Sequence, residues 1–492
     1  MVLVIYRVNL ISNPKVFSSL NFNMRKIFLL VLLISFFKGL SQNRPLLYNV
    51  DDLPQALLQN PGARIDFTRH IGVPFFSQIH LFAGSSGVTA YDVFADNDGD
   101  VNDRVRNIMR DITSGDFFSV NEQLEVLSLG WKMSDRLYFS TGIYQELDIF
   151  AYFPKDPAVL AFEGNASYIG QDFRFSDVNF AGEVLTVYHA GLNYKVDNQL
   201  TVGGRFKLYS GIFNAESTSN EGVFRTVETP GGPNFYRHEV SGLNVRVNTS
   251  GYASLKEEEG MTVDKAVAEL LSRSFFGQNV GLGVDLGFNY RVTEQFSVNA
   301  AIQDLGLMFH QKDVENYNYF GSFQTDGLEP LFPELDENEA TIPYWDVFEE
   351  KLDQNLQDET TNNTYTTWRP LKFNASFQFG TGKSILPCDY LISKKPRFMN
   401  LFGMIFSGVN RPKGPTYGVT AYYDRKVTDN FRFRVAYGAD EYTLTKFGLM
   451  MSTRLKNFNF YLAANDIIGY TNLAKANTAS LQLGLQFIFK DL

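Results

Sequence analysis

One acidic cluster in this sequence carries residue types that could bind a metal ion. Asp96, Asp98, Asp100 and Asp103 lie within eight positions of one another, and their oxygens suit Ca²⁺, a hard cation that takes six to eight oxygen ligands. The spacing departs from a standard calcium loop, because Val101 stands where glycine is expected and Asn107 where the closing glutamate is expected. The cluster therefore predicts a calcium site, with a solvated acidic loop as the alternative. We expect no other cofactor.

The remaining reactive residue types form no recognisable site. The segment 380–384 reads Gly-Thr-Gly-Lys-Ser like the end of a phosphate loop, but Phe377 replaces the first required glycine and Pro387 interrupts the helix that should follow. The sequence has no Gly-x-Ser-x-Gly motif. The five histidines are isolated and lack metalloprotease spacing: His70, His80, His189, His238 and His310. The sequence therefore predicts a protein that is not an enzyme. A hydrolase that recruits His189 or His310 is the alternative.

Composition excludes further classes. The 492 residues are 44% hydrophobic and 15% aromatic, with a net charge of −10. Nucleic-acid binding requires concentrated lysine and arginine, so we expect no nucleic-acid partner. Cys388 is the only cysteine, which excludes an intrachain disulfide.

Apolar and polar residues alternate along many segments, most regularly near the C-terminus. From Phe431 the residues alternate between apolar side chains and Arg432, Arg434 and Gly438, and a last run from Ser480 repeats the pattern. This period of two is that of a β-strand. A membrane barrel needs roughly 9 to 11 such residues per crossing, and a closed wall leaves no unpaired strand edge in lipid. A soluble sandwich also alternates, but its strands are usually shorter, at about 5 to 6 residues. The pattern predicts an all-β, transmembrane antiparallel barrel.

Counting the alternating runs gives about fourteen strands. Two weaker runs within 213–279 would raise the count to sixteen, but their poor alternation favours a protruding β-arm. The runs are Gln78 to Phe94, Gln123 to Met133, Arg136 to Phe150, Val184 to Val196, Gln199 to Ile212, Val280 to Tyr290, Phe296 to Leu305, Leu371 to Gly380, Phe398 to Val409, Tyr417 to Val427, and four from Phe431, Thr443, Phe458 and Ser480.

Connection lengths orient the barrel. Bacterial barrels place short turns on the periplasmic side and long loops outside, so both termini are expected in the periplasm. The large extracellular loops are then 95–122, 151–183, 213–279 and 306–370. Short amphipathic helices are predicted in the first loop, around Val105 to Ile112, and in the third, from Asp264 to Ser272.

Charged residues on the inner face of the predicted wall should brace one another across the lumen or tune selectivity. Carboxylates at Glu125, Glu146 and Asp148 share that face. The predicted lumen-facing site residues are Arg205, Lys207, Asp285, Lys372, Arg432, Arg434, Lys446 and Arg454.

The N-terminus indicates export. Met24-Arg25-Lys26 precedes an apolar run and the small residues before Gln42, which is the order of a secretory signal. We therefore expect residues 1–41, an upstream extension plus signal peptide, to be cleaved. Residues 42–74 are expected to form a periplasmic segment and 75–492 the barrel, in the outer membrane of a Gram-negative bacterium.

Short motifs resemble a known group. Asn60-Pro61-Gly62, Gly72-Val73-Pro74, Asp304-Leu305-Gly306 and Asn465-Asp466-Ile467 are similar to features of uncharacterised FadL-like outer-membrane barrels of Bacteroidota, which are related to type IX secretion barrels. The resemblance covers most of the mature chain and implies an outer-membrane barrel.

Two functions follow from that resemblance and from the loops. The first is a structural or accessory component of a secretion or barrel-assembly complex, since acidic loop 326–359 with embedded aromatics could dock other envelope proteins. The alternative is a FadL-like passive channel for hydrophobic or small solutes. Expected partners are outer-membrane lipid, lipopolysaccharide and envelope proteins bound through the extracellular loops.

Overall fold

The computed structural model describes residues 45–95, 100–232, 234–256, 263–276, 279–326, 355–383 and 398–490. The predicted signal sequence, most of acidic loop 326–359, the link at 384–397 and Cys388 lie outside these ranges. The strands are β1 (Arg69–Gly72), β2 (Gln78–Ser85), β3 (Phe117–Lys132), β4 (Leu137–Tyr152), β5 (Asp172–Arg174), β6 (Phe180–Lys195), β7 (Leu200–Glu228), β8 (Tyr236–Ser250), β9 (Asn279–Arg291), β10 (Phe296–His310), β11 (Val314–Thr325), β12 (Leu356–Thr361), β13 (Tyr365–Trp368), β14 (Lys372–Lys383), β15 (Phe398–Arg411), β16 (Gly414–Lys426), β17 (Phe431–Ala439), β18 (Lys446–Leu455), β19 (Phe458–Ala464) and β20 (Thr478–Phe489).

The described helices are short. They are α1 (Ala56–Gln59), α2 (Ala90–Phe94), α3 (Val101–Asp111), α4 (Lys155–Glu163), α5 (Ala253–Lys256) and α6 (Val263–Arg273), with single 3₁₀ turns at Pro45–Leu47, Phe175–Asp177, Gly469–Thr471 and Leu473–Lys475. None of the helices in the described part of the chain is long and apolar enough to cross a membrane. The α3 and α6 helices coincide with the two predicted amphipathic segments.

Antiparallel pairing closes the sheet into a barrel of 14 strands, as predicted. The first wall strand is split into β1 and β2, each of which pairs with β20 on one side and β3 on the other. The wall then runs through β4, β6, β7, β9, β10, β14 and on in chain order to β20, with β13 extending the position of β14 beside β10. Because the last strand pairs with the first, the wall has no free edge.

Side chains alternate between the two faces of this wall. On β9, Leu282 and Leu286 point outward and are about half exposed, whereas Asp285 between them points inward and is fully buried. Outward apolar residues recur around the circumference on the other wall strands. A continuous apolar belt of this kind is stable only against lipid, so the fold is that of a membrane barrel.

A β-arm extends from one end of the barrel. Beyond Ile212, β7 leaves β9 and pairs with β8, which pairs with β11, and β11 pairs with β12. The arm therefore uses segments predicted as loops 213–279 and 306–370, and β8 does not enter the wall, which rules out the sixteen-strand alternative. We call this the loop end. The other end carries the short connections 133–136, 196–199, 292–295, 427–430 and 456–457, and we call it the turn end.

Several wall strands differ from the sequence prediction in their bounds. Strand β3 begins at Phe117, six residues earlier than expected, and β10 continues to His310. The first strand ends at Ser85 instead of Phe94, because Thr89 and Asp92 form a capping box that starts α2. Toward the loop end, β3 and β10 therefore reach further than the alternation indicates, whereas the first strand is shorter.

The arm contains an acid whose protonation we expect to control local stability. Burial raises the pKa of Glu216 to about 7, against an opposing hydrogen bond with Asn248 on β8. A raised pKa means that the folded arm binds the proton more tightly, so its stability is highest at acidic pH and falls as pH rises through 7. We expect Glu216→Gln to stabilise the arm by about 1–3 kcal/mol at pH 8.5 and negligibly at pH 4. Hydrogen exchange of β7 and β8 measures this. The same change at exposed Glu221 on β7 is the control, and equal effects at both positions would contradict the prediction.

Candidate functional site: a plugged bore

Residues 45–67, which we call the plug, lie inside the barrel. From the sequence, these residues are expected to belong to a periplasmic segment, 42–74. Leu46, Leu47, Tyr48, Val50 and Leu53 are fully buried. They pack against inward side chains of β15 to β19, namely Ile405, Tyr422, Ala436, Met450, Tyr461 and Ala463. The segment is too short to bury these side chains by itself, and the wall supplies the missing apolar surface.

The second half of the plug packs on the opposite side of the bore. Ala56, Leu57, Ala63 and Phe67 form a buried cluster with Tyr138 of β4 and Ile488 of β20. After α1 the chain turns at the Asn60-Pro61-Gly62 motif. The Asn60 side chain accepts a hydrogen bond from the Gly62 amide at 2.9 Å and donates to the Phe288 carbonyl at 3.2 Å. This motif, singled out in the sequence as a family feature, is the point where the plug crosses the bore against β9.

Two inward-facing glycines of the wall, which we call the glycine floor, allow the plug to approach the wall closely. Gly203 of β7 and Gly287 of β9 face each other in register and both point inward. A β-carbon on Gly203 would overlap the backbone of Pro61 and Gly62, and one on Gly62 would overlap the backbone of Gly287. A β-carbon on Gly287 would overlap the Asn60 side chain. Backbone therefore meets backbone at this point, which only glycine permits.

A small polar cavity lies on the loop side of the plug. Plug residues Leu58 and Gln59 form one boundary, and wall residues that include Glu146, Lys207 and Lys372 form the others. Its volume is about 50 Å³, which is room for a few water molecules. Most of the lining is charged or carries amides, so this part of the bore is polar.

Ion pairs cross the bore at the level of the cavity. Lys207 Nζ lies 2.9 Å from Asp285 and 2.6 Å from Asp304, and Lys372 Nζ lies 2.9 Å from Asp304 and 2.6 Å from Glu146. Strands β4 and β14 are not neighbours, so the Lys372 to Glu146 pair spans the interior. The charges therefore brace the barrel across its bore.

Two further cations join this network. Arg205 lies 3.2 Å from Asp285, and Arg369 pairs with both Glu146 and Glu183. The sequence does not predict Arg369 as a lumen-facing residue, because Arg369 precedes the regular alternation of β14. Asp304 was singled out only as part of a motif. A β-bulge between Ile302 and Leu305, with a positive φ of 59° at Asp304, turns its carboxylate inward.

An aromatic cluster lines one side of the bore nearer the loop end. Phe82, Phe117, Phe150, Tyr152 and Tyr442 pack together and are buried. The Arg411 guanidinium lies 4.7 Å from the Phe150 ring centre, and Lys413 Nζ lies 4.4 Å from that of Tyr152. These distances are those of cation-π contacts. Phe82 of this cluster and Arg411 also line the small cavity, together with Leu58 and Gln59 of the plug.

A larger cavity of about 480 Å³ lies at the turn end. We call it the vestibule. Plug residues Arg64, Ile65 and Phe67 line one side, and the wall residues Asn193 and Asn289 line the other. The plug thus borders the vestibule with residues that include Arg64 to Phe67 and borders the small cavity with Leu58 and Gln59.

An ionic latch fastens the plug at the turn end. Arg432 contacts Asp51 and Asp52 at 2.7 Å each, Lys426 lies 3.7 Å from Asp52, and Lys490 lies 2.5 Å from Asp66. Burial would raise the pKa of both Asp51 and Asp52, but the Lys426 and Arg432 charges outweigh it and hold each pKa below its usual range. Such carboxylates stabilise the closed plug at neutral pH, and the contribution is lost only as pH falls through their lowered pKa values.

The latch provides a direct prediction. We expect Arg432→Gln to weaken the turn-side attachment of the plug by about 2 kcal/mol, because two charge-assisted hydrogen bonds are lost. Limited proteolysis at 50–55 measures this, with faster cleavage expected near pH 7 and little difference below pH 3. Arg454→Gln is the matched control, since Arg454 lies inward on β18 near the same end but donates only to the Asp429 carbonyl. Equal cleavage rates in the two variants would contradict the latch.

The predicted site residues divide clearly. Seven of the lumen-facing set are buried inside the bore: Arg205, Lys207, Asp285, Lys372, Arg432, Arg434 and Lys446. Arg454 shares their face but is half-buried at the turn end. Lys446 pairs with Asp440, and both line a further small cavity with plug residues Pro45 and Leu46.

The calcium candidates are only partly described. Asp96 and Asp98 lie outside the described residues. Asp100 caps α3 by accepting from the Asn102 amide at 2.9 Å, and Asp103 pairs with Arg106 at 2.7 Å. Among the described residues, no group of three or more His, Cys, Asp or Glu side chains could hold a metal ion. The calcium site stays a prediction.

A closed antiparallel barrel with an apolar belt and a bore filled by its own N-terminal segment defines a plugged membrane barrel. Residues 61–465 match a sequence family described as a family of unknown function, DUF5723, and the chain belongs to that family. No curated protein matches the chain.

Solved structures with a similar fold are bacterial transport barrels. The Ralstonia pickettii toluene transporter TbuX is 12% identical over 89% of this chain and 94% of its own, with a TM-score of 0.38. A Pseudomonas aeruginosa FadL homologue is 10% identical over the same shares, with a TM-score of 0.39. The CymD monoaromatic hydrocarbon channel is 10% identical over 90% and 94%, with a TM-score of 0.36. These likenesses are too distant to carry an argument about function.

Proposed function

We propose that this protein is an outer-membrane passive channel whose bore the plug holds closed. The observation that carries the proposal is the position of the plug, a non-covalently held segment inside a closed wall that borders the vestibule with Arg64 to Phe67 and the polar cavity with Leu58 and Gln59. A structural barrel would need no cavity on both sides of such a segment. Displacing the plug joins the two spaces.

The lining favours one class of solute. Carboxylates, cations and amides surround the cavity beside the plug, and their charges are mutually paired. An apolar solute would displace water from these groups without replacing its hydrogen bonds, at a cost of about 1–3 kcal/mol for each group left unpaired. Of the hydrophobic and small solutes considered for a FadL-like channel, small polar solutes fit this bore better.

Recording of the purified full chain in planar bilayers tests the proposal. With the plug in place we expect little steady conductance, because cross-bore ion pairs and the plug leave room for only a few waters. Displacement of the plug should produce a stable, ohmic conductance. A displaced plug without conductance would overturn the proposal.

The accessory role in an envelope complex stays a prediction. It depends on acidic loop 326–359, of which only residues 326 and 355–359 are described. The β-arm offers a surface for partners, but no contact of the described residues identifies one. Purification from native membranes in mild detergent, with or without stoichiometric partners, tests that role separately.

A further inference from the structure

Besides the apolar packing and the ionic latch, the wall holds the plug through the plug's backbone. Asn193 of β6 donates its side-chain amide to the carbonyl oxygens of Pro61 at 2.7 Å and Ala63 at 2.9 Å. Arg205 of β7 donates to the carbonyls of Leu57 and, at 3.1 Å, Leu58. None of these bonds involves a plug side chain.

The same pattern continues along the bore. Gln303 of β10 donates to the carbonyls of Leu58, at 3.0 Å, and Gln59. Arg434 of β17 donates to the carbonyls of Leu46 at 3.1 Å and Tyr48 at 2.7 Å, with a longer contact to Pro45. Four wall side chains thus bind eight carbonyl oxygens, those of Pro45, Leu46, Tyr48, Leu57, Leu58, Gln59, Pro61 and Ala63.

Carbonyl oxygens recur in every peptide whatever its sequence. A row of inward donors that binds them therefore recognises polypeptide as a class, in the way that main-chain hydrogen bonds give affinity in other peptide-binding sites. The glycine floor at Gly203 and Gly287 adds to this, because it accepts bare backbone at van der Waals distance. The identity of a bound residue is restricted only where that residue meets the glycine floor, and in the plug this residue is Gly62.

The four donors are themselves deeply buried, each at most 7% exposed. When the plug leaves, Gln303 and Asn193 lose their plug acceptors, and Arg205 and Arg434 keep only their wall carboxylates, Asp285 and Asp424. A buried donor without an acceptor is costly, so an entering solute that supplies carbonyls is favoured over one that does not. A single small anion satisfies one donor, whereas a chain with regularly spaced carbonyls satisfies all four.

We propose that the channel binds and passes short peptides, and that the plug is an internal mimic of them. This inference rests on the proposed channel function and names its solute class. Peptides with glycine or another small residue at the point that meets the glycine floor should bind best. Side chains elsewhere should matter less.

Peptide binding to a displaced-plug variant tests the inference. The full chain with Lys426→Gln and Arg432→Gln, which release the ionic latch and leave the four donors and the glycine floor intact, is titrated with three probes. They are a fluorescent synthetic peptide of residues 45–67, a scrambled peptide that keeps the glycine in place, and polyethylene glycol of similar length. Fluorescence anisotropy measures binding of the peptides and, by competition, of the polymer, and bilayer recording on the same sample measures block of the current. We expect the dissociation constants of the two peptides to agree within about tenfold. The polymer, which lacks carbonyls, should show no measurable binding. Addition of Asn193→Leu should weaken both peptides by about tenfold or more, since two hydrogen bonds are lost.

The outcomes separate the two proposals. Binding of the native peptide alone would show recognition of side chains and overturn the peptide-class inference. Equal competition by polyethylene glycol, or the absence of peptide binding in the anisotropy assay, would overturn it as well. Peptide binding without any conductance would instead overturn the channel function and leave a peptide-binding barrel. Conductance without peptide binding would leave the channel and remove its solute class.

Discussion

Replacement of Gly203 by leucine should open the barrel. The new side chain would occupy the space of the Pro61 and Gly62 backbone. Strand β7 cannot move away from the plug, because both neighbouring strands hold it in register. Overpacking typically costs about 1–3 kcal/mol, which shifts the balance between seated and displaced plug by about fivefold to more than a hundredfold. Planar-bilayer recording of the purified variant should show a proportionate rise in mean conductance over the wild type.

Gly204→Leu is the matched control for this substitution. Gly204 is the next residue on the same strand, and its β-carbon would point outward with Leu286 at an ordinary 3.7 Å. It adds the same side chain to lipid instead of the bore, so the conductance should stay at the wild-type level. If the two variants conduct equally, the plug is not the barrier. Protection of amides 60–63 from hydrogen exchange, lost only in Gly203→Leu, confirms that the plug has moved.

The wall could be predicted from the sequence because strand geometry fixes where side chains point. Once alternate residues on β9 are assigned to lipid, Asp285 must face the bore, and the same reasoning places Arg205 and Arg434. The arm has no such constraint. Both its faces meet water, so β8 and β11 carry no apolar period, and pairing with the distal half of β7 determines their structure. The sequence therefore indicates a protruding β-arm only within 213–279 and leaves 314–325 as loop.

The position of the plug could not be read from residues 45–67 alone. Leu46, Leu47 and Leu53 follow neither the helical nor the strand period of apolar residues, because several different wall strands cover the plug. The signal lay in the wall instead. The predicted inward cations outnumber the predicted inward carboxylates, and Arg205 and Arg434 have more donors than their neighbouring acids can accept. Acceptors from another segment were therefore required, and the plug carbonyls supply them.

Arg434 should be the most costly of the wall donors to replace. It is fully buried, lies 2.9 Å from Asp424, stacks 4.2 Å from the Tyr422 ring centre and binds carbonyls of the 3₁₀ turn that begins the described plug. Arg434→Met would leave Asp424 with only the more distant Arg432 at 3.3 Å and would leave buried carbonyls unpaired. Breaking a buried pair in this way typically costs about 3–5 kcal/mol. Urea unfolding of the protein in detergent, followed by heat-modifiable gel mobility, should show a loss of that size.

The double variant Arg434→Met with Asp424→Asn separates charge from plug attachment. Neutralising Asp424 removes the buried unpaired charge, so most of the global stability should return. The carbonyls of Leu46 and Tyr48 stay unpaired in both variants, so faster hydrogen exchange of the plug amides at 48–50 should persist. Arg369→Met, which breaks the ion pairs with Glu146 and Glu183, should lower global stability without changing exchange at 48–50. If exchange in the plug recovers together with global stability in the double variant, then Arg434 acts only as the partner of Asp424, and the wall does not hold the plug through its carbonyls at this end of the bore.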